Sequence, residues 1–216
     1  AGPSITEYEP LLATNYTVSE DNLTYTYTLR EGVKFHSGND FACKDVEYSL
    51  QRILVIQDAS SGVWFQAEAF LGQDYGNANG YVTGKAEEAG VDIAAEGFDP
   101  QTWDGADAAY TEYWGMIDNA ITCVDDFTVQ FTLPKVDPAF FVKLLYTNAS
   151  IVDSAWAIEN GDWDGTEATY REWVGREPRE GFLHNNASGT GAYRLISWDS
   201  GVVVAEAFAD YWGGAP

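Results

Sequence analysis

An aromatic pair with polar neighbours is the first feature of the sequence with the residue types of a binding site. Trp64 and Phe65 follow a Ser/Gly stretch that ends in Ser61 and Gly62, with Val63 between, and Gln66 comes next. Ligand pockets combine aromatic walls with a few polar groups, so this stretch is a candidate ligand-binding site. Packing in the core is the alternative, since that is the usual fate of large aromatic side chains.

A second candidate for chemistry is the acidic run at residues 160–165, which reads NGDWDG. It places oxygen ligands at alternate positions and a glycine at the sixth position, as a calcium loop does. The twelfth position is Arg171, where a calcium loop needs a bidentate glutamate. An acidic turn that leads into a capped helix fits better, so we predict no metal site here.

Signatures of an enzyme are missing from the sequence. The two histidines, His36 and His184, lie far apart, and neither shares zinc spacing with a cysteine. There is no Gly-x-Ser-x-Gly elbow and no Ser-x-x-Lys. The adjacent carboxylates Asp125 and Asp126 fit a hairpin turn better than acid/base catalysis. We therefore predict no catalytic residue and no cofactor.

Composition narrows the class of protein further. The chain of 216 residues has 34 Asp plus Glu against 11 Lys plus Arg, a net charge of −23. Such a surface repels phosphate backbones, which excludes nucleic acid as a partner. With 45% hydrophobic residues the chain can bury a core, and no apolar run is long enough to span a membrane. The acidity favours solubility, or work in a salty or acidic medium outside the cytosol.

The two cysteines, Cys43 and Cys123, leave two alternatives open. They are two buried thiols, or they form one disulfide across a long loop, which requires an oxidising compartment.

Periodicity predicts a mixture of strands and helices without regular βαβ alternation. Residues 24–30 alternate Thr and Tyr and predict a strand, and residues 43–57 carry apolar residues at helical spacing. The segment from residue 72 to about 115 has no clean period and predicts an irregular excursion with short helical pieces. The other expected elements are a hairpin (117–133), a helix with Phe140, Phe141, Leu144 and Leu145 as its core face (138–145), a strand-like exit (146–152), a helix (164–174) and strands (192–198, 202–207). The fold class is α/β, as mixed α+β.

Three blocks in order resemble the family 5 extracellular solute-binding proteins of ABC transporters, the dipeptide, oligopeptide and nickel type. Their order and spacing together carry the resemblance, and residues 72–118 look like an insertion. The blocks are residues 27–38 (YTLREGVKFHSG) running into 45–50 (DVEYSL), residues 124–131 (VDDFTVQF), and residues 189–195 (GTGAYRL) followed by 198–199 and 210–216 (DYWGGAP).

The resemblance implies a domain organisation. It makes residues 1–216 part of lobe I of a two-lobed periplasmic-binding-protein-like fold, because the motif at 210–216 lies mid-chain in the family. Residues 1–35 and 185–216 would supply core sheet segments, and residues 36–184 a helix and hairpin subdomain with the insertion. The second lobe would be absent from the chain.

The resemblance also implies a function and a site. The chain would be the substrate-binding component of an ABC importer, without catalysis, which captures a small solute or oligopeptide as two lobes close. Its other partners would be the permease subunits. It would be periplasmic or extracellular, associated with the cell envelope, and would meet the membrane only through the transporter or a lipid anchor. The expected ligand-binding residues are Ser61, Trp64, Phe65 and Gln66, with Tyr146, Thr147 and Asn148 as second choices.

Two departures from the family pattern concern the cysteines and the start of the first helix. Residues 42–46 read ACKDV, where the family usually has TAEDV, so the hydroxyl at the N-cap is lost, at a typical cost of about 1 kcal/mol. Cys43 and Cys123 both stand where the family normally has no cysteine. Because they flank elements that the family packs together, the resemblance predicts a disulfide between them.

Two other functions remain as alternatives at this point. A secreted carbohydrate-binding module would explain the aromatic excess and predicts a flat exposed row of Trp and Tyr. A hydrolase with clustered carboxylates predicts two carboxyl groups about 5–10 Å apart in a cleft, at least one with a raised pKa.

Overall fold

The alternating Thr and Tyr residues form the second strand of a four-stranded antiparallel sheet. In the computed structural model, which describes residues 9–57 and 62–214, the sheet order is β1-β2-β4-β3. Tyr25 lies opposite Phe131 and Tyr27 opposite Val129, and all four side chains are buried. One face of the sheet is therefore core. The strands are β1 (Ala13–Val18), β2 (Thr24–Leu29), β3 (Ile121–Asp125) and β4 (Thr128–Thr132).

Helix α1 (Cys43–Ile56) follows the predicted boundaries to within a residue. Its apolar stripe, which includes Leu50 and Leu54, is buried. Ala42 offers no side-chain cap, but the Asp45 carboxylate accepts the Ala42 N–H at 2.9 Å. The same buried carboxylate accepts the Ser154 N–H and hydroxyl at 3.1 and 2.6 Å. Asp45 thus supplies the acidic half of a capping box, and its own N–H, which an N-cap hydroxyl would accept, donates to the Ala42 carbonyl at 3.1 Å.

The segment from 72 to 118 is more regular than its sequence indicates. It contains α3 (Ala78–Glu88) and α4 (Ala106–Ala120), preceded by α2 (Trp64–Leu71). In α4 the buried residues Ala106, Tyr110, Tyr113 and Ile117 recur every three or four positions. The expected hairpin start at 117 is also wrong, because α4 continues to Ala120.

The helices between residues 138 and 174 are shorter than the sequence predicts. Helix α5 covers Phe140–Leu144, and Leu145 beyond it is 67% exposed, so Leu145 does not belong to the core face. The expected strand-like exit contains a 3-10 turn, Thr147–Ala149. The expected helix at 164–174 divides into α7 (Glu167–Tyr170) and a 3-10 turn, Arg171–Trp173. Helix α6 (Ser154–Glu159) lies between the Thr147–Ala149 turn and α7.

The last strands, β5 (Tyr193–Asp199) and β6 (Val202–Ala207), form a separate two-stranded sheet. The hairpin of β3 and β4, which lies within residues 36–184, pairs with β2 in the main sheet. Large apolar side chains on β5 and β6, including Trp198 at 58%, are exposed.

A disulfide joins Cys43 at the start of α1 to Cys123 on β3. It adds a covalent link to a contact in which the Cys43 N–H donates to the Asp126 carbonyl at 2.8 Å. Across the described ranges 9–57 and 62–214, no helix is both long enough and apolar enough to span a bilayer.

Candidate functional site

Three aromatic rings form a continuous stack at the start of α2. Trp64 and Phe65 stack with ring centroids 3.7 Å apart, and Phe65 stacks on Tyr146 at 5.0 Å. Trp64 is 41% exposed and Tyr146 is 47% exposed, so both ends of the stack reach solvent. We refer to Trp64, Phe65 and Tyr146 as the aromatic stack. It brings together two first-choice residues and one second-choice residue of the sequence prediction.

Packing between α2 and α5 holds the stack in place. The Gln66 side chain is fully buried, and its Nε2 donates to the Lys143 carbonyl at 2.8 Å. Gln66 was expected to face the ligand, but the phase of a helix that begins at Trp64 turns it inward. It fixes α2 against α5, three residues before Tyr146, and so supports the rings.

The remaining predicted residues surround the stack unevenly. A Cβ added to Gly62 would come within 2.9 Å of Asn148 Nδ2, so the chain before α2 and the turn after α5 approach closely. Asn148 is half-buried, whereas Thr147 is exposed. Ser61 lies outside the described residues.

A charged cluster lies beside the stack. The buried Lys143 ammonium is 3.2 Å from Glu68 Oε2 and 2.7 Å from Asp137 Oδ2. Glu68 is four residues after Trp64 on α2, so the two side chains share a helix face. These three residues do not stand out in the sequence, although the i, i+4 spacing of Trp64 and Glu68 was a signal for Glu68.

An apolar groove of about 700 Å³ runs along the buried face of the sheet. Tyr27, Phe141 and Trp212 are among the residues that line it. Leu145 and Ala149 line it as well, so the Tyr146–Asn148 turn lies between two groove-lining residues. The rings of Trp64 and Phe65 do not line the groove. No local sequence pattern indicates this groove, because its walls come from segments far apart in the chain.

The family-like blocks meet through a polar network. His36 Nδ1 accepts the Gly189 N–H at 3.3 Å, and its Nε2 lies 2.9 Å from the Gly191 carbonyl. The fully buried Asp153 carboxylate accepts the Ser188 hydroxyl at 3.2 Å and the Asn39 amide at 3.0 Å. This network ties the loop after β2 to the loop before β5.

The acidic run at 160–165 has a structural role in this fold. Asp162 is buried and accepts two bonds from Arg52, at 2.7 and 2.8 Å. Burial, followed by the charge of Asp162, raises the pKa of the neighbouring Tyr48 hydroxyl. Asp164 accepts the Thr166 N–H at 3.0 Å before α7. Within residues 9–57 and 62–214, no three His, Cys, Asp or Glu side chains group as a metal site would need.

One carboxylate next to the disulfide has a raised pKa. Glu47 accepts the Cys123 N–H at 3.3 Å. Burial raises its pKa, the hydrogen bond from Cys123 opposes this, and the negative charge of Asp118 adds to it. Glu47 lies on α1 beside β3 and does not line the apolar groove described above, so its position fits a structural role.

A sequence comparison decides the family. The family model described as bacterial extracellular solute-binding proteins, family 5 Middle, matches residues 7–216. The chain belongs to this family. Among its relatives, the dipeptide-binding protein DppE of Bacillus subtilis is 36% identical over 90 residues, 42% of this chain and 16% of DppE. The glutathione-binding protein GsiB of Salmonella typhimurium is 57% identical over 42 residues, 19% of this chain and 8% of GsiB.

Solved structures of solute-binding proteins have the same fold. The periplasmic binding protein DppA of Helicobacter pylori, in complex with the peptide STSA, matches with a TM-score of 0.53 and 25% identity, over 96% of this chain and 32% of that chain. A substrate-binding domain of an oligopeptide ABC transporter from Bacillus anthracis matches with a TM-score of 0.56 and 17% identity, over 95% of this chain and 30% of that chain. The chain therefore spans about a third of the length of these two solved chains.

Proposed function

We propose that this chain is the ligand-capturing part of the substrate-binding component of an ABC importer, which takes up a peptide or another small solute. Membership of the solute-binding family supports this, as do the relatives DppE, described as dipeptide-binding, and DppA, solved with a bound peptide. An oxidising compartment outside the cytosol, with permease subunits as partners, belongs to the same proposal. The Cys43–Cys123 disulfide is consistent with that location.

The aromatic stack is the observation from which we assign the proposed ligand binding to particular residues. Its two end rings are about half exposed, although large aromatic side chains are usually buried. Rings that are held rigidly and left exposed lose little entropy when a ligand packs on them, and such rings dominate many binding interfaces. The hydrogen bond from Gln66 to the Lys143 carbonyl holds the rings in place, because it fixes α2 against α5.

The proposed mechanism is closure of two lobes on the ligand. This chain would supply the aromatic wall, and a second lobe, carried by other parts of the full-length protein, would supply the facing wall. A ligand that contacts both walls binds the closed form better than the open form, and so shifts the equilibrium toward closure. The chain spans 32% of the DppA chain, which leaves room for a second lobe in proteins of this family.

The test is calorimetric titration of the full-length protein with a panel of dipeptides and small solutes. Trp64→Leu keeps an apolar side chain but removes the ring, and we expect affinity to fall about tenfold, as at an aromatic hot spot. Trp198→Leu is the matched control, because Trp198 is an exposed tryptophan of β5, outside the stack. Equal loss in both variants would contradict the site, and retention on polysaccharide without peptide binding would favour the carbohydrate-binding alternative.

A further inference from the structure

We infer that the aromatic stack selects peptides with a cationic side chain, a guanidinium or an ammonium group. This inference rests on the proposed function and narrows its substrate class. It depends on three features of the described residues: exposed ring faces, an incompletely neutralised carboxylate on the same helix face, and the way this chain holds two of its own cations, Lys85 and Arg171.

The charge beside the stack is negative. Lys143 is the cation paired with both Glu68 and Asp137, so one positive charge faces two negative charges. The Lys143 and Asp137 side chains are about 90% buried, whereas the Glu68 side chain is 43% exposed. The accessible group on the Trp64 face of α2 is therefore the Glu68 carboxylate, and Lys143 is enclosed below it.

Elsewhere in the described residues, two of the four cations that lie over aromatic rings also pair with a carboxylate. The Arg171 guanidinium lies 4.1 Å from the centroid of the Tyr110 ring and 2.5 Å from Asp107. Lys85 lies 5.2 Å from the Tyr81 ring and 3.3 Å from Glu112. Ring faces attract cations through their quadrupole, and a nearby carboxylate adds a Coulomb attraction.

The aromatic stack has the same two components, rings and a carboxylate. It differs from the two pairs above in whether a cation of the protein lies over the rings. Within residues 9–57 and 62–214, no Lys or Arg lies over Trp64, Phe65 or Tyr146. A cationic side chain of a ligand would meet a ring face and Glu68 together. The net charge of −23 would also steer cations toward the surface and anions away from it.

The experiment compares three dipeptides that differ in one side chain, Ala-Arg, Ala-Leu and Ala-Glu, on the full-length protein by calorimetry. We expect Ala-Arg to bind roughly tenfold more tightly than Ala-Leu at low salt, the combined effect of an exposed cation–π contact and an exposed ion pair. Ala-Glu should bind weakest, and the preference for Ala-Arg should shrink as salt is raised.

Two variants localise the preference. Glu68→Gln should lower the Ala-Arg to Ala-Leu affinity ratio roughly two- to fivefold, because only the cationic side chain uses the carboxylate. Glu20→Gln makes the same charge change in the exposed turn between β1 and β2 and should leave the ratio unchanged. Thermal unfolding of both variants checks that the fold is intact.

The outcomes separate this inference from the proposed function. If Ala-Leu or Ala-Glu binds as tightly as Ala-Arg, or if Glu68→Gln and Glu20→Gln change the ratio equally, the cation preference is overturned and peptide capture stands. If none of the three dipeptides binds, the inference and the peptide form of the proposed function are both overturned.

Discussion

Removal of the disulfide should destabilise the protein by an amount that follows from the structure. The double variant Cys43→Ala, Cys123→Ala lacks the covalent link between α1 and β3. The Cys43 N–H bond to Asp126 and the Cys123 N–H bond to Glu47 use backbone donors, which alanine keeps. The native fold should therefore persist, with the main effect on the unfolded state.

The magnitude comes from the length of the closed loop. The two cysteines are 80 residues apart, and the chain-entropy model assigns about 4.5 kcal/mol at 25 °C to a loop of that length. Measured disulfides typically contribute about 2–4 kcal/mol. A domain of this size loses about 2–4 °C in Tm per kcal/mol, so we expect Tm to fall by roughly 5–15 °C.

Denaturant unfolding and calorimetry, with and without reductant, measure this effect. Reductant should lower the stability of the wild-type protein to that of the double variant and should not change the variant. Thiol titration of the denatured protein without reductant should find no free thiol. Equal stability of wild type and variant under oxidising conditions, or two titratable thiols, would refute the reasoning.

Two further predictions concern α1. Arg52→Met leaves the buried Asp162 carboxylate without its cation and should lower the free energy of unfolding by about 3–5 kcal/mol in denaturant titrations; a loss below about 1 kcal/mol would contradict the account. In Glu47→Gln the effect depends on pH. Because burial raises the Glu47 pKa above its unfolded value, the stability that protonated Glu47 contributes is complete below pH 4.5 and is lost as pH rises through the folded pKa. The variant should therefore match wild type near pH 4 and have the higher Tm at pH 7, and a Tm difference that does not change with pH would contradict this.

Strict periodicity made part of the fold predictable. The Thr/Tyr alternation of β2 and the apolar stripe of α1 have counterparts in the structure, within about one residue at each end. Helix α4 was missed because Gly115 and polar residues between its aromatics obscure the helical period, which tertiary packing of Tyr113 then enforces. The separation of β5 and β6 from the main sheet depends on pairing between distant strands, which no local pattern encodes.

The site was predictable to a similar extent. Trp64 and Phe65 stand out by residue type, and the family resemblance pointed to Tyr146. The inward direction of Gln66 depends on where α2 begins, and the pairing of Lys143 with Glu68 depends on how α2 packs against α5. Neither is encoded in a local sequence pattern, so the residues that support the stack were found only in three dimensions.

Native mass spectrometry of the full-length protein, purified from its host without unfolding, tests the central claim most directly. The account predicts a non-covalent solute adduct of small mass on the wild-type protein and on Trp198→Leu, which is reduced on Trp64→Leu. A protein that carries no solute and gains none from a peptide mixture would contradict it, as would an adduct equally abundant in both variants.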